Sequence, residues 1–257
     1  MASWRLKRRL TYTLLFVGLA AGLAAALFLL SKPAPSCFDG KQNQGEVGID
    51  CGGPCAKVCP TEIKDIRVIW GPRILEVGEG RYDTVTLIQN PNPRHAARSF
   101  NYLIKIFDAD NLLITTRYGS AFLNPRESFA IFESRIDVGR RRPARAVFEL
   151  DGAPLWQKVE RTAPELTVTR KDFVLEPALR LTVEAENHSL LALRDITVVA
   201  VLFDEYQNVV GISSTLIDEL APRERKEIVF TWPAPFKANV TIITFYPHLD
   251  LARLPAP

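Results

Sequence analysis

Cysteine is missing from this chain except in one short stretch, so a disulfide framework spread through the body of the protein is excluded. No Gly-rich phosphate loop, HExxH, GxSxG or CxxC pair occurs, so the motifs of nucleotide binding, zinc proteolysis, α/β-hydrolase chemistry and thiol exchange are lacking. Histidine is scarce: His95, His188 and His248 fall far apart, in expected loops, and read as solvated side chains rather than catalytic bases. Beyond residue 60 no long segment has helical periodicity. A basic face is also lacking. The net charge of +3 includes four basic residues at the N-terminus, and removing them leaves −1, which gives no nucleic-acid footprint.

What is present begins with a long apolar run. Residues 11–30, TYTLLFVGLAAGLAAALFLL, hold no charge, and at about 1.5 Å per residue they match a hydrocarbon core about 30 Å thick. Arg5, Lys7, Arg8 and Arg9 precede the run without an acidic residue among them, and such flanks stay on the cytoplasmic side. The expectation is a cytoplasmic basic tail at 1–10 and one uncleaved membrane helix at 11–30, with the rest outside the cell membrane. A cleaved signal peptide also starts basic, but its apolar core is shorter. A lipoprotein reading of Cys37 is disfavoured by the proline among Ala34, Pro35 and Ser36. Gly18, Gly22 and Ala26 form a small-residue row that can pair two helices into a dimer, and also suit a generic Ala/Leu-rich span.

Residues 31–60 then supply a short spacer, 31–36, and all four cysteines, Cys37, Cys51, Cys55 and Cys59. An even count outside the cytoplasm reads as two disulfides, with three connectivities open. Closing a loop of about 15 residues restrains the unfolded chain by about 3 kcal/mol. Intervals of 13, 3 and 3 residues do not form the paired CxxC knuckles of a four-thiolate zinc site. Asp39, Asn43, Glu46 and Asp50 interleave with the cysteines, an oxygen-rich pattern that suits calcium and equally suits turns in a tied loop. The segment CFDGKQNQGEVGIDCGGPCAKVC resembles the Cys-x-Asp-Gly…Asp-Cys-Gly-Gly-x-Cys modules of secreted and surface microbial proteins. Its last interval has three residues where two are usual. The resemblance implies export and no defined enzymatic role.

After Pro60 the pattern alternates with a period of two, clearest where Leu179, Leu181, Val183 and Ala185 oppose Arg180, Thr182, Glu184 and Glu186. Similar stretches recur at 82–89, 102–107, 129–132, 144–150, 196–203, 228–232 and 240–245, separated by turn formers. Landmarks return at one spacing. Asn90 and Asn187 differ by 97, Phe107-Asp108 and Phe203-Asp204 by 96, and Pro125-Arg126-Glu127 and Pro222-Arg223-Glu224 by 97. The fold class expected is mainly β: two tandem immunoglobulin-like sandwiches, at 61–161 and 163–250, joined near 162–165.

NPNPRHAARSFNYLIKIFDADN and ENHSLLALRDITVVAVLFDEYQN are similar to the FxLYD family and, more loosely, to water-stress-associated domains of the late-embryogenesis-abundant group. Phe stands where that family usually has Tyr. The resemblance covers about 60 residues of each repeat and implies an immunoglobulin-like sandwich displayed near bacterial membranes, with no catalytic residues to carry over.

Asp108 with Asp110, and Asp204 with Glu205, have the composition of acid–base pairs but read as turn residues. Arg140, Arg141, Arg142 and Arg145, together with Arg94 and Arg98, are a candidate anion patch for lipid headgroups or wall polymers. Asn187 and Asn239 begin glycosylation triplets on which nothing rests. The expected role is non-enzymatic binding, scaffolding or envelope structure with an unknown protein or envelope partner. The alternative is an exported envelope hydrolase, for which no nucleophile–base pair can be named.

Overall fold

The computed structural model describes residues 4–30, 36–159, 163–174, 179–233 and 235–254. The first three residues of the basic tail, the spacer at 31–35 and the junction residue 162 lie outside them, as do the side chains of residues 5–7 and 28–30. The chain is mainly β, with one N-terminal apolar helix and four three-stranded sheets. It divides into two compact units, Met1–Lys57 and Val58–Pro257.

In the first unit, helix α1 runs from Trp4–Leu30, built from the Ala and Leu residues that lose least on entering a helix. Within it Arg8–Leu27 is 20 residues long with a mean hydropathy of 2.0, long and apolar enough to cross a membrane, as a signal sequence near an N-terminus also can be. A Cβ at Gly18 or Gly22 would meet nothing within 4 Å, so that face is open. The cysteine module follows.

Among the described residues the second unit carries twelve strands: β1 (Arg67–Gly78), β2 (Arg81–Gln89), β3 (His95–Phe107), β4 (Leu113–Leu123), β5 (Ser128–Asp137), β6 (Arg145–Lys158), β7 (Leu166–Val174), β8 (Arg180–Asn187), β9 (Leu193–Phe203), β10 (Val209–Leu220), β11 (Arg225–Thr231) and β12 (Ile242–His248). Every pairing between these strands is antiparallel. The sheets have the orders β1-β2-β5, β4-β3-β6, β11-β8-β7 and β10-β9-β12. Adding six to each number of the first half reproduces the second half.

Alternation explains how the halves meet. On β9, Val198, Ala200 and Leu202 enter a core with Leu181, Val183 and Phe230. Val199 and Val201, pointing the other way, join Ile212 in the core of the first half beside Val85, Ile88 and Ile131. β9 is therefore buried on both faces, as is β2, where Asp83 through Ile88 are all buried. Trp70 packs edge-on against Phe203 with centroids 6.5 Å apart. The strands fall within 61–161 and 163–250, yet the apolar core runs unbroken from one range into the other.

Candidate functional site

The cysteine module is held by one disulfide between Cys37 and Cys55, with Cα atoms 5.6 Å apart. Cys51 and Cys59 are disulfide-bonded as well, which leaves no free thiol. The oxygens expected as calcium ligands have main-chain duties. Asp50 Oδ1 accepts the Asp39 and Gly40 N–H groups at 3.0 and 3.1 Å, and Glu46 Oε2 accepts those of Asn43 and Asp50 at 3.3 Å each. Asp39 accepts the Asn43 amide at 2.8 Å, and that bond holds its carboxyl below the usual range. A cation here would compete with these donors, although Asn43 Oδ1 is buried without a hydrogen-bond partner. Glu46 Oε1 lies 3.0 Å from Cys55 Sγ, a disulfide sulfur with no proton to donate.

The arginine loop sits at the end of the first half where β1 turns into β2 and β3 into β4. Val138 N–H bonds Gly80 O, and Ala144 N–H bonds Phe107 O. Arg145 lies over the Phe107 ring at 4.3 Å and donates to Asn111, while Arg141 lies 3.7 Å from Asp108. Arg140 and Arg142 are exposed and make no ion pair among the described residues. Arg81 joins these arginines, but Glu79, Asp108, Asp110 and Asp137 stand in the same connected loops and nearly balance them. Arg94 and Arg98 do not extend the patch, contrary to expectation. They flank the start of β3, and Arg145 pairs with its last residue. Arg98 instead holds Asp250 through two bonds of 2.7 and 2.9 Å.

The recurring landmarks are backbone-holding corners. Asn90 and Asn187 are both fully buried. Each amide donates to two or three carbonyls, those of His95 and Asn124 for Asn90, and those of Leu191, Leu220 and Ala221 for Asn187. Asp108 Oδ1 accepts from Asp110 and Leu112, and Asp204 Oδ1 from Tyr206 and Asn208, closing equivalent turns. Glu127 caps Asn124 N–H at 2.7 Å, and Glu224 caps Ala221 N–H at 2.6 Å. Arg126 and Arg223 share a left-handed backbone, with φ of 60° and 63°. These acids serve turns, as their sequence positions imply.

The histidines correct a second expectation, since two of the three belong to strands. His95 opens β3, and burial lowers its pKa. His188 Nε2 lies 3.0 Å from the Thr167 hydroxyl. His248 ends β12 and is 6% exposed. Its ring is stacked between Phe122 and Phe129 at 4.0 and 3.9 Å, and its Nδ1 lies 2.7 Å from Glu127 Oε1. The same corner binds the end of β12 through Asn124, which donates to Leu249 O at 2.8 Å and accepts Leu251 N–H at 3.3 Å. With both ring faces covered, His248 fixes position and has no free face for a substrate.

Two further polar groups carry no signal in the sequence. Glu133 bridges the Tyr102 hydroxyl and the Arg117 guanidinium, each at 2.7 Å, and burial followed by this carboxylate drives the Tyr102 pKa up. Asp83, buried in β2, has its pKa raised by desolvation although it accepts Arg135 N–H at 2.7 Å. Beside the Asn124 corner a cleft of about 710 Å³ is lined by Arg94, Arg126, Glu127, Pro164, Leu166 and Leu249, among others.

No family model matches the chain, and no curated protein does. Among solved structures it is similar to red sea bream transglutaminase at a TM-score of 0.23 and 15% identity, over 72% of this chain and 29% of that one. The chain thus spans less than a third of that protein's length, and the likeness is too distant to carry fold or activity across.

Proposed function

We propose that this chain is a single-pass membrane protein of a bacterial envelope, with its N-terminus in the cytoplasm and a tandem immunoglobulin-like ectodomain that binds or scaffolds without catalysis. The carrying observation is the pair of disulfides that follows an apolar helix with a basic flank. Disulfides persist in oxidising compartments, and a basic flank stays inside. The shared strand order and matched Asn, Asp and Glu corners support a duplicated sandwich. The non-catalytic part of the reading is supported by Asp108, Asp204, Glu127 and His248, which are engaged in internal hydrogen bonds that hold turns and the end of β12. The partner is a protein or envelope polymer reached by the loops between strands.

The test is carried out in bacterial cells producing the full chain with tags at both ends. It should resist alkaline extraction from membranes, and protease added to spheroplasts should remove the C-terminal tag while sparing the N-terminal one. A soluble periplasmic product that starts after residue 30 would overturn the anchor. Crosslinking in intact envelopes should recover a partner above background, and failure to do so removes the binding role. If Gly18 and Gly22 pair two spans, Gly18→Ile with Gly22→Ile gives monomers in detergent.

A further inference from the structure

The cysteine module exposes apolar side chains and engages its acids internally, with Glu46 buried and Asp39 and Asp50 half-buried. Phe38 is 91% exposed, Ile49 61% and Val47 45%. The Asp50 carboxylate binds the Asp39 and Gly40 N–H groups, so the stretches carrying Phe38 and Ile49 run side by side. Val47 N–H bonds Cys51 O and fixes the adjoining turn. Between Cys37 and Lys57 the only acids are Asp39, Glu46 and Asp50, and every one accepts hydrogen bonds from within the module. The two basic residues of that stretch, Lys41 and Lys57, are exposed. Exposed apolar side chains together with exposed lysines, in a module whose carboxylates are all engaged by its own donors, complement a layer of anionic headgroups over acyl chains.

Chain length supplies the second argument. Cys37 is seven residues past the end of α1 at Leu30, and seven residues reach at most about 25 Å even when fully extended. We infer that the rim formed by Phe38, Val47 and Ile49 rests in the headgroup–acyl boundary of the bilayer crossed by α1, with Lys41 and Lys57 meeting anionic phosphates. The inference rests on the membrane reading above. Aromatic side chains favour this boundary, and the disulfides spare the module the cost of ordering a flexible segment there. The module thereby acts as a second foothold for the chain.

The full chain is reconstituted in bilayers of phosphatidylcholine and phosphatidylglycerol, with p-cyanophenylalanine at position 38. The nitrile infrared band should lie below that of the free amino acid in buffer, as for a nitrile out of water. Lys41→Glu with Lys57→Glu should return it part of the way. A band at the aqueous position, in a chain that still resists alkaline extraction, overturns the inference and leaves the anchor standing. Release by alkaline extraction overturns both. An unchanged band in the lysine variant overturns the phosphate contact.

Discussion

His248 Nδ1 lies 2.7 Å from Glu127 Oε1, so the last strand of the chain is bonded to a corner formed 121 residues earlier. The ring is also clamped between Phe122 and Phe129. Replacing His248 by Ala removes two stacking surfaces and one hydrogen bond and leaves a buried carboxylate oxygen unpaired. A loss of about 3 kcal/mol is expected. Glu127→Gln should cost less, because the amide can still meet Asn124 and His248. Urea unfolding of both single variants and the double variant should give a coupling of about 1–3 kcal/mol, and a coupling near zero would show that the pair is incidental.

Because Val199 and Val201 enter the core of the first half while Val198 and Ala200 enter that of the second, the two halves should unfold together. Val201→Ala is expected to cost about 1–3 kcal/mol and to shift one common transition rather than split it. The check is urea unfolding followed at Trp156 in the first half and Trp232 in the second, in single-tryptophan variants. Separate midpoints would mean that the shared core does not couple the halves.

Asn90 and Asn187 offer a matched pair of tests, since each buried amide holds carbonyls from two other loops. Alanine at either position orphans those carbonyls and should cost about 2–4 kcal/mol, the upper range for a single buried polar deletion. Aspartate should be no better, because it lacks the N–H donors the carbonyls need. Thermal denaturation at neutral pH decides this, and a variant within half a kcal/mol of the parent would refute the role, on the usual about ±0.5 kcal/mol surface scale.

These corners are legible in the sequence because a buried polar group tolerates few residue types, so Asn, Phe-Asp and Pro-Arg-Glu recur at one spacing. The central strands β2, β3, β8 and β9 are legible for a related reason, as burial on one face or both enforces an apolar pattern. Strands β1 and β7 are not. β1 is an edge strand whose register shifts between Val68 and Trp70 and again between Trp70 and Arg73, so its alternation is broken, and β7 slips between Arg170 and Asp172. The cysteines announce their bonding but not the Cys37–Cys55 partnership, since spacing alone fits three pairings. His248 looks like a loop residue in the sequence because its partners, Glu127 and two phenylalanines, come from over a hundred residues away. The arginine run is plain in composition. The ion pair of Arg141 with Asp108 and the hydrogen bond from Arg145 to Asn111 depend on loops that only the fold brings together.

Asp83 provides a prediction with a defined sign. Burial raises its folded pKa above the unfolded value, so the folded state holds the proton more tightly. Its contribution to stability is then best below the unfolded pKa and diminishes as pH rises through the folded one, opposite to a salt-bridged carboxylate. Asp83→Asn keeps an oxygen for the Arg135 N–H and carries no charge to bury. The variant should be at least as stable as the parent at neutral pH, with the difference shrinking as pH falls through the titration of Asp83. Asp204 runs the other way. Its bond from Asn208 lowers the folded pKa, so its contribution is present at neutral pH and is lost as pH falls through that lowered value. Urea midpoints of Asp83→Asn and Asp204→Asn across the acidic range should therefore converge on the parent from opposite sides. Were both to lie below it at neutral pH by the same amount, desolvation of Asp83 would not outweigh its hydrogen bond.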